Sequence, residues 1–165
     1  MIMITQRLPG AGTADDRLVL PFDMRSRSRF RARLTSGEEV GVILGRGQVL
    51  RGGDRLRAED GRIVQIDAAP ESVTTLQSAD ARMLARAAYH LGNRHVALQV
   101  GDGWLRYRHD HVLDDMARGL GLTVILEEAP FEPEPGAYAM QGTSESAHGH
   151  HHGHGHHGHD HDHDN

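Results

Sequence analysis

The sequence predicts an α+β chain: a small antiparallel β domain, then a β-α-β-β-α-β unit, then a histidine-rich end that belongs to neither core. Three observations carry this prediction. Residues 1–71 hold short runs of alternating polar and apolar residues broken by glycine turns, and beyond residue 73 apolar periods of two and of 3.6 alternate. Ten of the fourteen histidines fall in the last eighteen of the 165 residues, interleaved only with glycine and aspartate before the final asparagine.

In the first domain, strands are expected over 17–20, 29–34, 39–44, 48–50 and 62–66. Thr35-Ser36-Gly37, Arg51-Gly52-Gly53-Asp54 and Glu59-Asp60-Gly61 supply the turns between them, and no helix is needed. In the second domain, 73–76 reads as a strand. Ser78 is placed to cap a helix that runs to Leu91, with Met83, Leu84, Ala87, Ala88 and Leu91 on one face and Gly92 as its stop. A strand over 95–100, a Gly101-Asp102-Gly103 turn and a strand over 104–107 follow. A helix over 110–120 carries Val112, Leu113, Met116 and Leu120 on one stripe, stops at Gly121, and leads into a last strand over 122–127. That order is the ferredoxin-like split unit. The expected boundaries are 1–71, 72–129, and 130–165 for a Pro-Glu-Pro-Gly linker with the histidine-rich tail, which reads as a mobile arm.

Charge and composition exclude several function classes. The net charge is −5, and Glu145, Asp160, Asp162 and Asp164 supply most of it, so the body is nearly neutral. With three Phe, three Tyr and one Trp besides, a nucleic-acid partner is not expected. There is no cysteine, so a metal would be held by nitrogen and oxygen alone. The first residues, Met-Ile-Met-Ile-Thr, are too short an apolar run for a secretory leader, and no run approaches the ~20 residues of a membrane span. A soluble, cytoplasmic protein without membrane association is the expectation.

The histidines carry the chemistry. Neutral imidazole is the commonest protein ligand for divalent transition metals, so His148, His150, His151, His152, His154, His156, His157, His159, His161 and His163 are candidate ligands. His109-Asp110-His111 sits where the third strand meets the second helix. Extended, its two imidazoles lie on one side, whereas on a helix they diverge by about 200°. Asp115, one helical turn after His111, is placed to orient an imidazole as an acceptor behind it; the bland alternative is that Asp110 merely caps the helix. His95 is a single imidazole, which becomes a site only if a two-fold axis brings a second copy to it. His90 is better read as a favourable charge near a helix C-terminus. Arg25, Arg27, Arg29, Arg31 and Arg33 alternate strictly and would line one strand face, either solvated or facing a protein partner. No nucleophile with a matching base is present, so no catalytic residue is assigned.

Taken together, these residues resemble the urease accessory protein UreE family of nickel metallochaperones. The likeness rests on Tyr89-His90-Leu91-Gly92-Asn93-Arg94-His95, on Arg106-Tyr107 followed by His109-Asp110-His111-Val112-Leu113-Asp114-Asp115-Met116, on Gly47-Gln48-Val49-Leu50-Arg51-Gly52-Gly53-Asp54, and on the histidine-rich end. It implies an N-terminal β domain that binds protein partners and a ferredoxin-like domain that dimerises. It implies a homodimer that delivers Ni²⁺ to the urease apoprotein in a complex with the urease GTPase and other accessory proteins. It further implies that His95 is the ligand shared at the dimer interface and that His109 and His111 form a peripheral site. Some relatives carry proline in place of Ala97 and histidine in place of Arg108, and the second departure lowers the ligand count near His109.

The ligands alone select no metal, because imidazole suits Ni²⁺, Zn²⁺ and Cu²⁺; nickel comes from the resemblance. A histidine-rich metal buffer without a client would share the same tail. A metal-dependent hydrolase using His109, His111 and Asp115 would need three ordered ligands and an open position.

Overall fold

The computed structural model describes residues 1–136. The tail histidines lie outside the described residues. Ten strands and three helices are present among those described, arranged as a six-stranded sheet followed by a four-stranded one.

The first sheet holds β1 (Ile2–Leu8), β2 (Asp16–Leu20), β3 (Arg29–Arg33), β4 (Glu39–Ile43), β5 (Arg55–Ala58) and β6 (Ile63–Ala68), in the order β2-β6-β5-β1-β4-β3. It is mixed rather than antiparallel, because β1 pairs with β4 and β2 with β6 in parallel. It curls into a barrel-like form around Ile4, Leu18, Phe30, Val40, Val42, Leu56, Val64 and Ile66. β1 and β5 were not among the expected strands. β5, Arg-Leu-Arg-Ala, alternates correctly but is only four residues long, and in β1 only Ile4 is fully buried. Residues 48–50 form no strand. Leu50 is buried, and both its backbone groups are answered by Arg25: its N–H donates to the Arg25 carbonyl at 2.9 Å, and its carbonyl accepts from the guanidinium at 3.1 Å.

Arg25 departs from its expected place on the arginine stripe. A short helix, α1 (Phe22–Arg25), follows Pro21, its extended N-cap, whose carbonyl accepts from the Met24 and Arg25 N–H groups, and this interrupts the alternation. Arg25 is fully buried, and only Arg29, Arg31 and Arg33 share the exposed face of β3, an edge strand. Charge on an edge discourages pairing with other chains.

The two margins of this sheet meet through Asp16. Its carboxylate accepts from the Thr35 hydroxyl and from the Arg17 N–H, both at 2.7 Å, while the Thr35 N–H donates to the Arg17 carbonyl. Hydrogen bonds from Ser36, Thr35 and Arg17 hold the Asp16 carboxyl down at about 2. A folded-state value below the unfolded one, about 3.9, contributes stability that is complete above that pH and lost as the pH falls towards 2. Asp16→Asn is therefore expected to flatten the acid-unfolding curve between about pH 4 and 2, as followed by circular dichroism. A variant curve parallel to that of the unaltered protein would contradict this.

The second sheet holds β7 (Pro70–Gln77), β8 (Gln99–Gly101), β9 (Trp104–Arg108) and β10 (Thr123–Pro130), ordered β10-β7-β9-β8 with every pair antiparallel. With α2 (Ala81–Asn93) after β7 and α3 (His111–Gly119) after β9, this is the expected split β-α-β unit. Its core joins Leu76, Leu105 and Tyr107 of the sheet to Ala87 and Leu91 of α2 and to Leu113 and Ala117 of α3. Asp80, not Ser78, is the N-cap of α2 and accepts from the Arg82 N–H at 2.9 Å, while the Ser78 hydroxyl accepts from Asp80 one step earlier. Val112, placed on the apolar stripe of α3 by its spacing, is instead 52% exposed.

Arg25 joins the two sheets. Its guanidinium donates to the Leu20 and Leu50 carbonyls, both at 3.1 Å, to the Phe131 carbonyl and to the Glu132 carboxylate. Phe131, fully buried, meets Phe22 edge-on. The segment after β10 then turns along the entry to β8, where the Glu134 N–H donates to the Leu98 carbonyl at 2.8 Å and the Glu132 N–H to the Gln99 side chain.

Candidate metal-binding residues

His95 is not in a strand. It stands in the left-handed conformation at φ 55°, the only non-glycine residue with positive φ among those described. The helix α2 does not stop at Gly92 as its sequence suggests; it runs on to Asn93, with Arg94 as its C-cap. The His95 N–H then donates to the Gly92 carbonyl at 3.0 Å and the Val96 N–H to the Leu91 carbonyl at 3.2 Å. These two bonds form a Schellman cap with histidine in the position that glycine usually takes, and Val96 packs against the Leu91 cluster, as such a cap requires. A side chain there costs about 1 kcal/mol or more, although histidine tolerates it better than most residues. The result is an exposed imidazole on a backbone that the helix end holds in one geometry.

His109 and His111 occupy the junction foreseen for them. The His109 N–H donates to the Ser72 carbonyl at 3.1 Å, extending β9 by one residue. Asp110 is extended and is the N-cap of α3, with its carboxylate accepting from the Val112 and Leu113 N–H groups at 2.9 and 3.2 Å. His111 is the first helical residue, and both histidines are exposed.

The carboxylate behind these histidines is Asp114, not Asp115. Asp115 lies at the surface and pairs with Arg118 at 3.1 Å. Asp114 is 1% exposed; its Oδ2 faces the His109 Nδ1 at 3.1 Å, and its Oδ1 accepts from the Thr74 hydroxyl at 2.7 Å and the Tyr107 hydroxyl at 2.8 Å. Burial, then the hydrogen bond to Asp114, pushes the Tyr107 hydroxyl well above its ordinary value, so it remains a donor. The signal in the sequence was position: residue 114 falls on the same helical face as the buried Leu113 and Ala117, where an acidic residue needs partners.

Arg108 belongs to a different contact. Its guanidinium forms a bidentate pair with Asp23 at 2.6 and 3.2 Å, and this hydrogen bonding holds the Asp23 carboxyl below the usual range. Beside the pair, Phe22, Asp23, Val96, Ala97, His109 and Leu113 line an open cleft of about 350 Å³, so the residues following His95 reach the same cleft as His109. Among the described residues, no group of three or more His, Asp or Glu side chains converges closely enough to hold a metal ion. Nor is any helix of the described residues long and apolar enough to cross a membrane.

Both halves of the chain match known families. The family model described as the N-terminal domain of the UreE urease accessory protein matches residues 4–69, and that of the C-terminal domain matches residues 71–163. The chain is 61% identical over 138 residues to the urease accessory protein UreE of Alkalilimnicola ehrlichii, covering 84% of this chain and 85% of the relative. It is 55% identical over 141 residues to the protein of that name from a strain of Pseudomonas putida, covering 84% and 86%. To that of an Enterobacter species it is 52% identical over 145 residues, covering 87% and 95%. On the match of both halves and on these identities, the chain belongs to the UreE family of urease accessory proteins.

Proposed function

We propose that this protein is a nickel chaperone: it binds Ni²⁺ and hands it to the urease apoprotein, acting as a homodimer in complex with the urease GTPase and the other accessory proteins. The observation that carries the reading is His95, an exposed imidazole in a strained left-handed cap. Strain kept at one exposed side chain is characteristic of a functional position. A two-fold partner would add a second His95 and complete a shared site. Tyr89 and Val112 are exposed apolar side chains of the same domain, at 66% and 52% exposure, available to a partner chain. A ligand set built from two chains at a surface is exchangeable, as a donor requires.

Within this reading, residues 1–71 serve protein partners and residues 72–129 carry the metal and the dimer contact. His109 and His111 form the peripheral site. The tail histidines between 148 and 163 collect ions and raise their concentration near His95, a tethered effect of order millimolar. The described end of the chain supports this arrangement, since Glu134 is bonded to Leu98, three residues beyond His95. Zn²⁺ and Cu²⁺ fit the same nitrogens, so the choice of nickel rests on the family.

The test is a calorimetric titration of the full chain and of a chain lacking residues 141–165 with Ni²⁺, and with Zn²⁺ and Cu²⁺ for comparison. The full chain is expected to take up several ions, and the shortened chain to retain a site holding about half an ion per subunit. Binding at both is expected to weaken below about pH 6, where protonated imidazoles no longer ligate. A half-ion site that survives His95→Ala would refute the shared site. Failure to associate with urease apoprotein and its GTPase under every metal loading would instead favour a metal buffer.

A further inference from the structure

We propose that Asp114 is a positioning residue that decides which nitrogen of His109 is offered to a metal ion. The inference rests on His109 being a ligand and adds the reason why its ring is ready to be one.

Two acceptors converge on the His109 Nδ1: the Asp114 Oδ2 at 3.1 Å and the Thr74 Oγ1 at 3.3 Å. The hydroxyl protons of Thr74 and Tyr107 are both directed to the Asp114 Oδ1. Thr74 therefore has only lone pairs left for His109, and the carboxylate has nothing else. The Nδ1 must carry the proton. In the neutral ring this leaves the lone pair on Nε2, on the far edge of an imidazole whose side chain is 36% exposed. A metal needs such a lone pair, and a carboxylate behind the ring makes it a stronger donor. Asp114 is well placed to hold the ring, because it is itself buried, fixed by two hydroxyls, and carried on the first turns of α3.

The same geometry predicts what the isosteric amide would do. In Asp114→Asn, the amide oxygen must stay where the two hydroxyls donate, so the NH₂ group turns towards the His109 Nδ1. A donor there requires a lone pair on Nδ1, and the proton moves to Nε2. The ring keeps its place but presents a hydrogen to the metal. Thr74→Val removes one hydroxyl and leaves the Asp114–His109 contact, so it disturbs the network without changing the tautomer.

The experiment uses the full chain labelled with ¹⁵N at histidine, studied by long-range ¹⁵N–¹H NMR at about pH 8, where imidazoles are neutral. His109 is expected to be Nδ1-protonated in the unaltered protein and in Thr74→Val, and Nε2-protonated in Asp114→Asn. Zn²⁺ then serves as a diamagnetic probe, read at the His109 resonances so that the tail does not mask it. The concentration that half-saturates His109 is expected to rise by on the order of 10–100-fold in Asp114→Asn and to change little in Thr74→Val. An Nε2-protonated His109 in the unaltered protein would overturn the proposal, as would Asp114→Asn with the tautomer or the Zn²⁺ midpoint unchanged. An Nδ1-protonated His109 that never responds to Zn²⁺ would instead overturn the ligand role itself, leaving the assignment of the proton intact.

Discussion

Replacing His95 by glycine is expected to abolish the proposed shared Ni²⁺ site and at the same time to make the fold more stable. The two effects share one cause. His95 occupies the left-handed residue of a Schellman cap at φ 55°, where a Cβ crowds the following carbonyl and glycine does not. Removing the side chain relieves about 1–2 kcal/mol of steric cost. The greater freedom of glycine in the unfolded chain takes back part of that, leaving a gain of roughly 0.5–1 kcal/mol. For a chain of this size the melting temperature should rise by about 1–4 °C. His95→Ala removes the same imidazole but keeps the Cβ, so it should lose the ion without gaining stability. Calorimetric melting paired with Ni²⁺ titration of both variants separates the two effects. Retention of the half-ion site in the glycine variant would end the role assigned to His95, and a fall in its melting temperature would end the claim of strain.

Arg25→Met is expected to destabilise the protein by about 3–5 kcal/mol, a large share of the 5–15 kcal/mol that ordinarily holds a domain together. Methionine fills a similar volume but answers none of the four oxygens that the guanidinium reaches: the carbonyls of Leu20, Leu50 and Phe131 and the carboxylate of Glu132. The Leu20 carbonyl keeps the Ala69 N–H and the Glu132 carboxylate keeps the Gly52 N–H. The Leu50 and Phe131 carbonyls lose this donor, and each acceptor left buried without one costs about 1–3 kcal/mol. Lysine is expected to fare little better, since one ammonium cannot reproduce a planar fork that serves the Leu20 and Leu50 carbonyls of the first half and the Phe131 carbonyl just after β10. Because Phe131 and Glu132 lead into the segment that reaches Leu98, the loss should also loosen the chain ahead of the tail. Urea denaturation reads the first effect, and hydrogen exchange at the Glu134 amide reads the second. A change in unfolding free energy below about 1 kcal/mol would show that the two sheets do not depend on this clasp.

The second half of the chain was legible because its signals are local. The apolar face of α2, from Met83 to Leu91, the Gly101-Asp102-Gly103 turn and the Asp110 cap each depend on neighbours within a few residues, and the β-α-β-β-α-β order follows from them. The first half was less so. Its parallel pairs, β1 with β4 and β2 with β6, join strands some 40 to 50 residues apart, and nothing in either strand specifies its partner's direction. The run of five arginines also misled, since Pro21 opens a helix that takes Arg25 out of the stripe and into the interior.

The candidate ligands divide in the same way. Composition and spacing alone single out the histidines, because imidazole chemistry belongs to the side chain and needs no fold to be recognised. The tail and the His109 and His111 pair were visible in this way, whereas His95, a lone imidazole by spacing, was singled out only by the family resemblance. The backbone hand of His95 and the carboxylate that faces His109 were decided only by tertiary structure. His95 becomes left-handed because α2 continues past Gly92, and Asp114 displaces Asp115 because packing of α3 on β7 and β9 buries one carboxylate against Thr74 and Tyr107 and leaves the other in water. A residue's chemistry is written in its identity, whereas its usable lone pair, its strain and its burial depend on neighbours that the chain reaches only on folding.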